Sequence, residues 1–112
     1  MVAEFTILGR LTRDPEVKYT ASGQAIGKLA VAVNSKYKEK DEVSFFNITV
    51  FGKAAENAAE YLSKGREVFV TGEIRQHTWT SDAGETTKFE FTARRVVFLG
   101  VGNAPRVSDT PF

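Results

Sequence analysis

Between Val43 and Lys64 the hydrophobic period of the chain changes once, and this change limits the possible folds more than any other feature. Val43 to Phe51 alternates with the two-residue period of a β-strand. Lys53 to Lys64 then takes helical spacing, with Ala54, Ala58 and Leu62 on one stripe and Ala55 and Ala59 beside it. On either side the chain alternates again. The pattern predicts a β-protein with a lone helix set among its strands.

The remaining elements follow from turn chemistry and parity. Glu4 to Leu11 is a predicted strand, with Gly9 marking a bulge or bend. Asp14-Pro15 is a turn. Val17 to Tyr19 and Ala25 to Asn34 can pair across Ala21-Ser22-Gly23, with Leu29, Val31 and Val33 on one face. Ser35 to Glu42 is expected to be a charged loop. Lys64 falls in the last turn of the predicted helix, and Gly65 falls where a left-handed C-cap belongs. Glu67 to Trp79 alternates with Val68, Val70 and Ile74 on one face, and Ser81 to Gly84 is a hairpin loop. Thr87 to Leu99 closes the set, with Phe89, Phe91, Val97 and Leu99 on one parity.

Counted as strand, strand, strand, helix, strand, strand, this order predicts a mainly β, five-stranded OB-fold. That fold is a Greek-key barrel, here with its one helix between strands 3 and 4. Residues 1–100 are expected to form the domain. Val101 to Phe112 contains Gly, Asn, two Pro and Ser without periodicity, and is expected to be a short flexible tail.

The two faces of the Val43–Phe51 strand differ in chemistry. Phe46, Ile48 and Val50 form a core face. Phe45, Asn47, Thr49 and Phe51 mix aromatic with polar groups on the other. Such a mixture suits a surface that stacks unpaired bases and stays soluble. Trp79 lies on the parity of Arg75 and His77, also opposite the apolar set. Phe69 shares that parity but is followed by Thr71 and Glu73, and is assigned to subunit packing.

Composition narrows the chemistry. Fifteen Lys and Arg against fourteen Asp and Glu give a net charge of +1, so any electrostatic footprint must come from local clustering. Lys36 and Lys38 flank Tyr37 and are the best local case for phosphate contacts. Arg10, Lys53 and Arg75 are further basic residues on strands and loops where a phosphate chain would run. There is no cysteine and His77 is the only histidine, so disulfides and a zinc site of the usual kind are excluded. No Ser-His-Asp set and no phosphate-cradling glycine loop is present, so no enzymatic activity, cofactor or metal is expected. Glu4 and Arg10 interrupt the N-terminal apolar run, and no segment has transmembrane length, so a cytoplasmic protein is expected.

Several segments resemble the bacterial single-stranded DNA-binding protein family, in order and with family-like spacing. They are Ile7-Leu8-Gly9-Arg10-Leu11, Asp14 to Tyr19, Val50-Phe51-Gly52-Lys53, Glu60 to Gly65, and Gly72-Glu73-Ile74-Arg75 leading to Trp79-Thr80. The resemblance runs to about Leu99. It implies an OB-fold, a homotetramer, and binding of single-stranded DNA with little sequence preference in replication, repair and recombination. It places the base-stacking aromatics on Tyr37, Phe45, Phe51 and Trp79. Well-studied members carry tryptophan at the positions of Tyr37 and Phe45, so weaker stacking is expected there. The family's long linker is nearly absent here and its acidic stretch is reduced to Asp109. Its tip matches Asp109-Thr110-Pro111-Phe112, which implies that Asp109, Pro111 and Phe112 recruit replication and repair proteins. The alternative readings are an OB-fold RNA chaperone, a nuclease on a small barrel, and a replication-restart accessory subunit.

Overall fold

The computed structural model describes residues 1–99; residues 100–112, with the predicted partner-binding Asp109, Pro111 and Phe112, lie outside the described residues. The elements are β1 (Glu4–Leu11), β2 (Glu16–Tyr19), β3 (Ala25–Tyr37), β4 (Lys40–Phe51), α1 (Lys53–Tyr61), β5 (Glu67–Ser81) and β6 (Gly84–Leu99). The sheet order is β1-β5-β6-β4-β3-β2, and an added β1–β3 pairing at Arg10–Ala32 and Leu11–Val31 closes five of the six strands into a barrel. This is the OB-fold architecture. Short β2 lies outside the ring, on the first residues of β3. Because β2 and β3 are separate strands, the helix falls between β4 and β5 and not between strands 3 and 4 as expected; its place in the fold is otherwise the predicted one.

The barrel interior is the set of apolar parities. Leu29 and Val31 of β3, Ile48 and Val50 of β4, and Val68 and Val70 of β5 are fully buried. β-Branched side chains dominate because they suit a pleated, covered surface. Ala55, Ala58 and Leu62 are the buried side of the helical segment, while Ala54 and Ala59 are exposed, so the covered stripe is shifted from the predicted one. The Tyr19 hydroxyl donates to a Glu56 carboxylate oxygen at 3.1 Å and ties β2 to α1. That bond favours the neutral phenol and raises its pKa above the usual tyrosine value.

Two expected boundaries move. The helix ends at Tyr61, before Lys64, and Gly65 does not cap it. Gly65 keeps a left-handed φ of 90°, but in a turn where its N–H donates to the Leu11 carbonyl at 2.8 Å. A tertiary partner uses this backbone group, so helix signals alone misplace it. The expected loop Ser35 to Glu42 is instead a continuous hairpin, turning at Lys38-Glu39 with φ of 50° and 66°. Left-handed central residues match the twist of the flanking strands. The usual Asn-Gly or Asp-Gly signal is missing, so the hairpin was not legible.

Gly9 is a close-approach glycine. A Cβ there would run into the Ala32 carbonyl oxygen and stand 2.7 Å from Val31 Cγ1, at the seam where β1 meets β3. Gly9→Ala is expected to cost about 1–3 kcal/mol of stability, the range for overpacking. Urea unfolding monitored by circular dichroism measures it, and an unchanged midpoint would count against this account of barrel closure.

Candidate nucleic-acid interface

The candidate interface arises where two strands part. β4 and β6 run parallel and pair only at Ile48–Phe91 and Thr49–Thr92. Towards their N-termini, β4 stays with β3 as far as the Lys38-Glu39 turn, and β6 stays with β5 as far as the Asp82-Ala83 loop. Two hairpin arms therefore spring from one place, and a cleft of about 570 Å³ opens between them. Ligand pockets commonly span roughly 300–1,000 Å³. Phe45, Phe46, Asn47 and Thr49 of β4 form one wall, with Lys28 of β3. His77 and Trp79 of β5 and Lys88 to Phe91 of β6 form the other.

The cleft brings together two of the four predicted stacking residues. Phe45 is 72% exposed and Trp79 47%, one on each wall. Phe51 is 42% exposed and shares the Phe45 face of β4, but it lies roughly 20 Å further along the strand. Tyr37 ends β3 opposite Lys40, on the other strand parity from Phe45, and does not line the cleft. Its ring centroid is 5.4 Å from the Lys38 ammonium, within cation–π range. Thr49, expected on the exposed face, is buried, because its hydroxyl lies under the Lys28 side chain and accepts a hydrogen bond from Lys28 Nζ at 2.9 Å.

The predicted phosphate ligands are spread more widely. Lys36 pairs with Asp41 in register on the Phe45 face of its arm, and Lys38 is in the turn. Lys53 begins α1 beside Phe51. Arg75 lies on the Trp79 parity, 3.8 Å from Glu73. Arg10 donates to the Gly65 carbonyl at 3.1 Å and does not line the cleft. Arg94 donates to Glu73 at 2.7 Å and Glu4 at 3.0 Å, and these bonds, Glu73 first, raise its pKa further.

Lys28 and Phe89 also line the cleft, though neither is among the candidate site residues of the sequence. Lys28 was findable as the strand neighbour of Thr49, on the Phe45 side of the sheet. Phe89 shares its strand parity with Phe91, which packs against the core. Phe89 itself is 59% exposed, because it lies beyond the last β4–β6 pair and no strand covers it there. Phe91 packs edge-on against Phe5 at 5.3 Å and Phe46 at 5.5 Å. Val97, expected on the Phe91 parity, lies on the opposite face, because a register shift at Thr71-Gly72 adds one residue to β6 and brings Val96 and Phe98 to the core instead. Phe98 is half-buried against the core. Among the described residues, no group of three or more His, Cys, Asp or Glu is placed to hold a metal ion. Among the same residues, no helix is long and apolar enough to cross a membrane.

A closed barrel with one helix and an aromatic, lysine-bearing cleft between two projecting hairpins defines an OB-fold binding module. The model of the Single-strand binding protein family matches residues 2–99, and the chain belongs to that family. It is 40% identical to the single-stranded DNA-binding protein of Treponema pallidum, over 99% of this chain and 66% of that protein. The protein of the same name from Wolinella succinogenes is 34% identical over 88% of this chain and 65% of its own length. That of Clostridium perfringens is 42% identical over 70% of this chain and 52% of its own length. The chain thus spans half to two thirds of the length of these curated relatives.

Proposed function

We propose that this protein binds and protects single-stranded DNA, with little sequence preference, in replication, recombination and repair. The observation that carries the reading is the pair of exposed rings, Phe45 and Trp79, on opposite walls of one cleft that also presents Lys28 and Lys88. Exposed rings stack on the π-face that every base has, and lysines neutralise the phosphates between them. Phe51 extends the stacking path along the Phe45 face of β4 towards α1, and Tyr37 offers a further ring near the arm's tip on its other face, with Lys36, Lys38, Lys53, Arg75 and Arg10 as phosphate ligands. The protein acts by coating and not by catalysis, and works in the cytoplasm on the nucleoid.

Residues 1–100 are the DNA-binding domain, and 101–112 are a tail whose Asp109, Pro111 and Phe112 recruit replication and repair proteins. The assembly is a homotetramer. An outward apolar row across the sheet supports self-association: Leu8 of β1, Phe69 of β5 and Val97 of β6 stand in register on the face away from the core. Such a row is the kind of surface that a symmetric partner covers.

Titration with mixed-sequence single strands, the matching duplex and the matching RNA tests the reading. Single-stranded DNA should bind most tightly and quench the fluorescence of Trp79, the only tryptophan. Binding should weaken as salt rises, because phosphate contacts release counterions. Equal affinity for duplex would refute the proposal, and preference for RNA would point to the RNA-chaperone reading.

A further inference from the structure

We propose that Phe89 is a further base-stacking residue, and that the cleft between the two hairpin arms holds an unpaired nucleobase against its ring. The inference rests on the single-stranded DNA reading above and deepens it.

Phe89 pairs with Gln76 in register, on the strand face that carries Ile74 and Phe91. Further along β6, residues of this face are covered by the barrel; Phe91 stands opposite Ile48, where β4 and β6 are joined. One alternation towards the arm tip the two strands have parted, and the cleft straddles the uncovered edge of β6, lined by Phe89 from this face and by His77, Trp79 and Lys88 from the other. A large apolar ring is thus left 59% exposed beside a wall that carries Phe45. Water is a poor partner for that ring.

The surroundings select the occupant. Phe89 has no hydrogen-bonding group, so it offers a π-face and cannot choose among bases. Lys28 and Lys88 bring positive charge to the same cleft. Lys28 is held by a neutral hydroxyl, Thr49 Oγ1 at 2.9 Å, and its ammonium keeps further donors for a phosphate. Glu90, the carboxylate in the lining, stands 3.3 Å from His77 Nε2, which occupies one of its oxygens. An aromatic, cationic cleft continuous with Phe45 and Trp79 complements a base and its phosphate.

The full chain carrying Phe89→Ala, Phe89→Leu or Phe89→Tyr would be titrated with oligo(dT) and with an equally long strand bearing abasic residues. Melting temperature and mass by light scattering accompany each titration. Phe89→Ala is expected to bind oligo(dT) about 5- to 150-fold more weakly, the span that one stacked base covers. Phe89→Leu keeps apolar bulk without a π-face and should lose a similar factor, whereas Phe89→Tyr should retain affinity. On the abasic strand the difference between wild type and Phe89→Ala should vanish. If wild type binds oligo(dT) and Phe89→Ala binds it equally well, this inference fails while the parent reading stands. An equal loss on the abasic strand, or a fall in mass for Phe89→Ala, would assign the ring to scaffolding or to self-association and overturn it. A wild type that does not bind oligo(dT) overturns both.

Discussion

Ile48→Ala is expected to cost about 2–5 kcal/mol of folding stability, the range for truncating a fully buried aliphatic side chain. Ile48 has no exposed surface, faces Leu29 across the β3–β4 pair, and stands opposite Phe91 where β4 and β6 join. Truncation removes transfer energy and leaves a cavity that three strands border, so the walls cannot easily collapse into it. Small domains are held by only about 5–15 kcal/mol, so the variant should approach marginal stability. Urea unfolding by circular dichroism measures the change. A loss well under 1 kcal/mol would mean that the apolar parity of β4 is not the core face.

Trp79→Ala is expected to leave the fold intact and weaken single-strand binding by about 1–3 kcal/mol. The ring is 47% exposed on the Arg75–His77 parity of β5, outside the barrel core. Its removal exposes no buried polar group and creates no closed cavity, so the melting temperature should barely move. Because the substitution also removes the fluorophore, binding is best read by anisotropy of a labelled strand. Phe51→Ala makes the useful comparison. If the cleft dominates binding, Trp79→Ala costs more; if the path runs evenly along β4, the two losses match. A Trp79→Ala chain that unfolds while binding per folded molecule is unchanged would show the indole to be structural.

The face assignments on β4 and β5 were legible because alternation is a local property. Phe45 and Phe51 cannot share a side with Ile48 and Val50, and Trp79 cannot share one with Val68 and Val70, whatever the rest of the chain does. The same logic carried the core, the lone helix and the barrel class. The Lys38-Glu39 turn escaped because no glycine or asparagine announces it; its left-handed backbone is held by the twelve-residue register of β3 against β4, a property of two strands together. The helix end escaped for a similar reason, since Leu11, far away in sequence, takes the Gly65 N–H.

Phe89 shows the boundary most sharply. Its parity groups it with Phe91, and parity states only which side of a strand a ring occupies. Whether anything lies over that side depends on where β4 stops pairing with β6, and those strands are distant in the chain. Local periodicity thus sorted the side chains of β3, β4 and β5 into faces, whereas on β6 a register shift at Thr71-Gly72 puts Val97 on the face opposite Phe91. The non-local pairing of strands decided which faces are covered, where the two arms diverge, and therefore that Phe45, Trp79, Lys28 and Phe89 line one cleft.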